Sequence, residues 1–412
     1  MTTRLSWSRL VALLATAAIL AAGCGDDDDS DAAADDSGSG EDTAECPSGD
    51  SVLMAMPYEA NQPAGENWRL GVEMAVDEIN EGGGILGCQI ELDAQDTQTD
   101  PDVSRQVVAD QVEDDPFVFL GTVLSSNTIV NMVEAQRAEI PMFVGAEAPA
   151  ITDREENGDN DYIYRASFGV DTAADKFVSY MVDEGVESVD VIYKNDEFGA
   201  GGREAYVAAF EEAGIDVGLD IQVQPDQVDQ SAEVTQLAGG DADAIFVFMT
   251  EIETAAFLDE YQAQGLDKPL YGGDVLSAAS TIALAQPGAA DGTSTHAGLN
   301  ASAPVFSDWR TAYAEFHPDA DPPDHNSIKG YTIVHVVKEA VEQIGEFDNS
   351  QFSDTLHCST LTVDDEPGLL LDVSYDGNGD IDRESYIVSV VDGTGEIVET
   401  LPPLDNLDER GC

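Results

Sequence analysis

The sequence predicts an α/β protein whose parallel sheets are wrapped by helices. Short apolar runs alternate with amphipathic helical stretches along most of the chain. The runs are continuous rather than alternating, as in Phe117–Leu120, which reads as a strand buried on both faces. Near the end the alternation gives way to two strands around a turn, as expected of a lobe completed by a returning segment. About 365 residues follow an N-terminal leader and spacer, enough for two domains.

In order, Val52–Met56 reads as the first strand. Gly65–Asn80 follows as an amphipathic helix with Trp68, Val72, Ala75, Val76 and Ile79 on one face, ended by Gly82–Gly84. Ile90–Leu92 is a second strand, and Asp100-Pro101 starts a second helix carrying Val103, Val107 and Val112. Phe117–Leu120 and Pro141–Gly145 are the next strands. Val189–Tyr193, Ile221–Val223 and Ala244–Met249 continue as strands between the helices Gly202–Ala213, Ser231–Leu237 and Glu253–Gln264. Ser307–Phe316 and Ser327–Ile344 read as helices. Leu369–Val373 and Tyr386–Val391 read as strands around the turn Asp376-Gly377-Asn378-Gly379.

In such sheets ligands bind beyond the C-terminal ends of strands. Pro116–Val130 fits that position best. Its strand breaks at Gly121, and Ser125, Ser126, Asn127 and Thr128 are N-cap residues leading into a helix. Backbone N–H groups, hydroxyls and the helix dipole at such a turn suit a carboxylate or another small anion, although the same residues also serve a plain cap.

Residues 1–24 read as an export signal. Arg4 and Arg9 precede an apolar core, Leu10–Leu20, too short to span a bilayer as a mature helix. Leu20-Ala21-Ala22-Gly23-Cys24 resembles a bacterial lipobox, which implies lipidation at Cys24 and a membrane tether on the outer face of the cell membrane. Residues 25–49 read as a disordered acidic linker.

The apolar fraction is 42%, as in a globular chain, and the formal net charge is −67. That charge argues against nucleic-acid partners and anionic membranes, which need basic patches. The acids are spread along the whole chain and predict a solvating surface suited to a saline habitat. Beyond Cys24 stand Cys46, Cys88, Cys358 and Cys412, without metal-ligand spacing. An even count in an exported chain favours disulfides, with three pairings possible. Cys46 and Cys88 precede neighbouring strands, and Cys358 and Cys412 share the C-terminal segment, so Cys46–Cys88 and Cys358–Cys412 are the favoured pairs.

Several segments together resemble the branched-chain amino-acid-binding proteins of ABC importers. GVEMAVDEINEGGGILGCQIELDAQD, within 65–96, opens the resemblance. GTVLSSNT at 121–128, IPMFVGAEAP at 140–149, NDEFGAGGREA at 195–205 and GLDKPLYGGDVL at 265–276 follow in the family's order. The resemblance spans roughly residues 50–395. It implies two Rossmann-like lobes joined by three crossover strands, the type I periplasmic binding fold. The crossovers are expected near 165–168, 296–300 and 371–375. Lobe I would comprise 50–167 and 300–372, and lobe II 168–299 and 373–400. The lobes would close over a small amino-acid-like or amide-like ligand for an ABC permease.

The resemblance also implies binding residues. Ser125, with Ser126 beside it, would take the α-carboxylate, and Asp274 the α-ammonium. Gly145 would contribute main-chain contacts. Glu147 stands where leucine-type binders have Thr, and Phe198 where they usually have Tyr. Thr250 or Glu251 falls near a further cleft aromatic. If Glu147 or Glu251 faces the ligand, a cationic or amine-rich ligand becomes plausible. The same fold also serves ligand-sensing receptors acting through a signalling partner, although a lipid tether gives no direct route for a signal inward.

No motif argues for an enzyme, a cofactor or a metal. Asp376, Asn378, Asp380 and Asp382 imitate the start of an EF-hand loop, but Ile381 and Ile387 stand where Gly and Glu are needed. The histidines at 296, 317, 325, 335 and 357 show no metal spacing and read as surface or helix-packing residues. Ser125 has no base that the sequence places beside it.

Overall fold

The computed structural model describes residues 45–153, 161–364, 366, 368–404 and 412. The export signal, Cys24 and the spacer up to residue 44 lie outside the described residues.

The described chain is the α/β architecture the sequence predicts. A first sheet has the order β2-β1-β3-β4-β5, built from Ser51–Tyr58 (β1), Gln89–Asp96 (β2), Val118–Leu120 (β3), Met142–Val144 (β4) and Ile163–Arg165 (β5). Every pairing in it is parallel. Its helices are Pro63–Glu81 (α1), Pro101–Val112 (α2) and Ser125–Ala138 (α3).

The chain then passes to a second sheet through Val170–Asp183 (α4). This sheet has the order β14-β13-β10-β9-β8-β6-β7. Ser188–Lys194 (β6), Asp216–Val223 (β7), Ala244–Phe248 (β8), Leu270–Gly272 (β9) and Ser294–Ala297 (β10) run parallel. Glu197–Ala213 (α5), Ser231–Ala238 (α6), Glu251–Gln264 (α7) and Ala279–Leu284 (α8) connect them. The antiparallel hairpin Ser385–Val391 (β13) and Thr394–Leu401 (β14) closes one edge.

Between β10 and β13 the chain returns to the first lobe. There it forms Ser307–Phe316 (α9), His325–Ile344 (α10) and Asn349–Leu356 (α11). A small ladder of Thr360–Leu361 (β11) and Val373–Ser374 (β12) follows. Tyr375 and Ile381 still pack in the core of the first lobe. The third crossing therefore falls at 382–384, later than the 371–375 that the resemblance suggests, because the Asp376–Asp380 turn docks against β5. There Arg165 N–H donates to the Gly379 carbonyl at 2.9 Å.

Two buried ion pairs hold that crossing. Arg165 Nε meets Asp380 Oδ1 at 2.5 Å, and Lys176 Nζ meets Asp382 Oδ1 at 2.8 Å. The acids that imitate a calcium loop are thus hinge partners, one for each lobe.

Helix α10 lies close against α1 because two glycines face the contact. A Cβ on Gly71 would sit 2.0 Å from the Ser327 carbonyl oxygen, and one on Gly330 would sit 2.4 Å from that of Trp68. Asp324 caps α10, accepting from the N–H groups of Asn326 and Ser327 in a capping box. The cap and the close packing bring the first turns of α10 to the gap between the lobes. Cys46 is bonded to Cys88, and Cys358 to Cys412. Among the described residues no helix is long and apolar enough to cross a membrane.

Candidate functional site

The strands β3, β4, β6, β8 and β9 all end at one gap, as parallel strands with crossover helices must. Their loops line a front chamber with ≈ 390 Å³ of space, part of it open to solvent. Ser125, Gly145 and Glu147 come from the first lobe, and Phe198, Glu251 and Asp274 from the second. His325 and Asn326 reach it from the start of α10. Apolar contact is offered by Val123, Leu124 and Phe198, whose ring stacks on Phe248 with centroids 4.5 Å apart.

The β3–α3 turn differs from its sequence reading in two respects. The helix begins at Ser125, so Leu124 occupies the cap position and no side chain caps it. In addition, the N–H groups of Val123 and Leu124 point to Glu59, at 3.3 and 3.4 Å, and Asn127 Nδ2 donates to the same carboxylate at 3.0 Å. Thr128 bonds to Thr122 at 2.8 Å. The turn's binding capacity rests on Ser125 and the first-turn N–H groups, which no helix can satisfy internally. Ser125 Oγ is buried and accepts from Ala148 N–H at 3.2 Å. Ser126 is not a lining residue. Its hydroxyl accepts from Glu197 N–H at 3.5 Å, from one lobe to the other.

Thr250 faces inward as well as toward the chamber. It accepts from Lys194 Nζ at 2.9 Å and donates to Glu253 Oε2 at 2.6 Å.

The charged centre is a triad that the sequence reading did not contain. Lys329 Nζ lies 3.3 Å from Glu147 Oε1 and 3.4 Å from Asp274 Oδ2. His325 Nε2 lies 3.6 Å from the same Asp274 oxygen. Burial raises Glu147 to about 7, assisted by the nearby Asp274 carboxylate and opposed by Lys329. Burial also works against the Asp274 carboxylate, but His325 and Lys329 more than offset it and hold Asp274 below its ordinary value. The Lys329 ammonium loses hydration, yet Asp274 and Glu147 together keep it firmly protonated. Burial raises Glu251 to about 8, with repulsion from Asp324 and Asp274 adding to it, so its carboxyl is mostly neutral at pH 7. Burial lowers His325, and Asp274 only partly restores it. Near pH 7 the chamber is close to neutral or carries one negative charge.

A rear chamber of similar size adjoins the first, and Glu147 and Asp274 line both. Phe168, Tyr206, His296, Lys329 and Arg383 complete much of its wall. His296 is thus a cleft residue rather than a surface one. Its Nε2 bonds to Ser385 Oγ at 3.0 Å, and burial lowers it to about 4, leaving it neutral.

An outer groove of ≈ 1750 Å³, between Asn61–Leu70, Ala279–Leu284 and Phe316–Pro322, is larger. Among the described residues no Lys or Arg side chain lines it. The strand-end chambers bring opposed charges together, which small-molecule recognition uses.

Residues 58–395 match the periplasmic binding protein family. The chain belongs to that family. The Leu/Ile/Val-binding protein BraC3 of Rhizobium johnstonii is 23% identical over 324 residues, 78% of this chain and 86% of the relative. The leucine-, isoleucine-, valine-, threonine- and alanine-binding protein of Pseudomonas aeruginosa is 22% identical over 347 residues, 82% and 89% of the two chains. Among solved structures, the LivJ substrate-binding protein of Streptococcus pneumoniae with isoleucine superposes with a TM-score of 0.75 at 20% identity. That match covers 86% of this chain and 100% of the other. An ABC-transporter solute-binding protein of R. palustris with benzoate gives 0.74 at 18%, covering 86% and 97%. As a periplasmic binding protein the chain binds a solute and is not an enzyme.

The lining residues absent from the sequence reading are His325, Asn326, Lys329 and Arg383, with Glu59 behind the turn. Lys329 had a signal. It is one of only 16 basic residues, and it stands in a helix that is otherwise apolar or neutral around it. Nothing local marks Glu59 or Arg383.

Proposed function

We propose that this periplasmic binding protein captures an α-amino acid or a close analogue in the front chamber and delivers it to an ABC permease. The observation that carries this reading is the pair Ser125 and Asp274 on opposite lobes of one chamber. Ser125 and the first turn of α3 suit the α-carboxylate. Asp274, with Glu147 beside it, suits the α-ammonium. Phe198 and Val123 supply apolar walls for the ligand's carbon skeleton.

The charge balance favours a single ammonium. Two acids share one lysine, and Glu251 is mostly neutral. A polyamine would need uncompensated negative charge that the chamber lacks. The isoleucine and benzoate of the two structural relatives both carry a carboxylate, but only isoleucine adds an ammonium. A buried carboxylate at 274 favours that first kind of ligand. Lipidation at Cys24 would tether the protein at the outer face of the membrane while the two lobes close over the solute.

The test is a thermal-shift screen against amino acids, amides, aromatic acids and polyamines. A ligand at a hundredfold excess over Kd should stabilise by about 2.7 kcal/mol. Asp274→Ala should remove the shift for every ligand that needs its ammonium. A hit whose shift survives that substitution intact would refute the assignment of Asp274.

A further inference from the structure

The rear chamber holds donors without acceptors. Tyr206 is 1% exposed, and its hydroxyl has no partner among the described residues. Arg383, on the third crossing, donates from Nη1 to the Asp372 carbonyl at 3.3 Å, while its Nε is buried without an acceptor. The Asp372 carboxylate is turned away, accepting from Val363 N–H at 2.9 Å. Among the described residues no carboxylate pairs with Arg383. Its guanidinium lies 5.7 Å from the centroid of the Phe168 ring, which limits where it can turn.

Native proteins rarely leave buried donors such as the Tyr206 hydroxyl and Arg383 Nε unmatched. Burial lowers Arg383 to about 10, which leaves it cationic at neutral pH. Burial raises Tyr206 well above its ordinary value, so its hydroxyl stays a donor. Of the chamber's own carboxylates, Glu147 and Asp274 already share Lys329. What fits two donors lining one chamber is a planar anionic acceptor. The chamber has ≈ 380 Å³ of space, ample for a carboxylate group.

We propose that the rear chamber is a subsite for a second, side-chain carboxylate of the ligand, bound by Arg383 and Tyr206. The ligand class is then an acidic α-amino acid. This rests on the α-amino-acid reading of the front chamber. Glu147 and Asp274, which line both chambers, would meet the ammonium at their junction. The α-carboxylate would face Ser125, and the side chain would run past Lys329 to Arg383. Glutamate and close homologues have the needed ends, while leucine-like ligands would leave Arg383 unmatched.

Titration calorimetry on the purified protein with glutamate, glutamine and norvaline tests this, since the three share a backbone and nearly a side-chain length. Glutamate should bind at least ~10-fold more tightly than norvaline, with glutamine between them. Arg383→Met should bring the glutamate-to-norvaline ratio to about one. Tyr206→Phe, which removes only the hydroxyl, should lower the ratio several-fold and decides the matter if R383M fails to fold. Norvaline binding as tightly as glutamate, or a ratio unchanged in both variants, overturns the subsite while leaving the amino-acid reading standing. No binding by any of the three, nor by any other α-amino acid, overturns both.

Discussion

Asp274 and Lys329 meet at 3.4 Å across the two lobes, one on the loop after β9 and the other on α10. The contact is buried, with side-chain exposures of 11% and 4%. Lys329 also reaches Glu147 in its own lobe, so one ammonium separates two carboxylates. The sequence offers each lobe a charge, and only the fold makes them partners.

Replacing Lys329 with Met removes the ammonium and keeps most of the bulk. Two carboxylates are then left facing each other out of water. Breaking a buried pair on one side costs about 3–5 kcal/mol. Urea denaturation of K329M at pH 7 should show a loss of that order. A loss under about 1 kcal/mol would mean that water, not Lys329, neutralises Asp274.

Glu59 and Glu251 give the protein a pH-dependent stability. Both ionise near 4.5 in the unfolded chain, whereas burial holds their protons to about 7 and about 8 in the folded one. The raised value means that the folded state binds the proton more tightly. Their contribution is therefore full below 4.5 and is lost as pH rises through 7 and 8. Glu59 is fully buried and accepts three hydrogen bonds that Gln can partly retain. In Glu59→Gln the slope of stability against pH between 5 and 7 should lose about one proton's worth, ~1.4 kcal/mol per unit. Denaturation at pH 5, 6 and 7 reads it directly, and parallel curves for the two proteins would contradict the shift.

The Ser125 turn could be placed from the sequence because it sits just past a strand whose apolar run is local and readable, whereas Gly145, Glu147, Phe198, Glu251 and Asp274 are placed through the resemblance to the branched-chain amino-acid binders. Parallel topology then brings such positions together without further information. His325, Lys329 and Arg383 escape that logic. The first two depend on α10 returning to the first lobe and lying against α1 through Gly71 and Gly330, a long-range contact with no local pattern. Arg383 depends on where the third crossing falls, and the acids that fix it, Asp380 and Asp382, look in sequence like a calcium loop. Glu59 was invisible for a different reason. An acid after a strand in so acidic a chain carries no signal until its donors, Val123 and Leu124, are in place.

The Cys46–Cys88 bond ties the segment before β1 to the loop before β2, closing a stretch of 42 residues. Chain-entropy reasoning gives about 4 kcal/mol for a loop of that length. Cys46→Ala with Cys88→Ala should lower the unfolding free energy by about 2–4 kcal/mol while leaving ligand affinity in place, since neither residue approaches the chambers. Equal melting temperatures for the double variant and the parent would show that this bond constrains nothing in the unfolded chain.

Salt should stabilise the protein through its surface. Acids outnumber bases 83 to 16, giving a formal charge of −67. The imbalance outside is sharper still, because Arg165, Lys176, Lys194 and Lys329 are all buried. Glu91, Glu211, Glu212, Glu396 and Glu399 are exposed on three different elements, so the repulsion is distributed rather than confined to one patch. Self-repulsion of this kind weakens the compact state, and it acts over ~10 Å at 0.1 M salt but only ~3 Å at 1 M. Scanning calorimetry between 0.1 and 2 M KCl should therefore show the melting temperature rising, most steeply at the low end where screening changes fastest. The buried pairs Arg165–Asp380 and Lys176–Asp382 lie beyond the reach of bulk ions and should not offset the gain. A melting temperature that stays flat or falls over this range would show that the acids are held far enough apart for water alone to accommodate them.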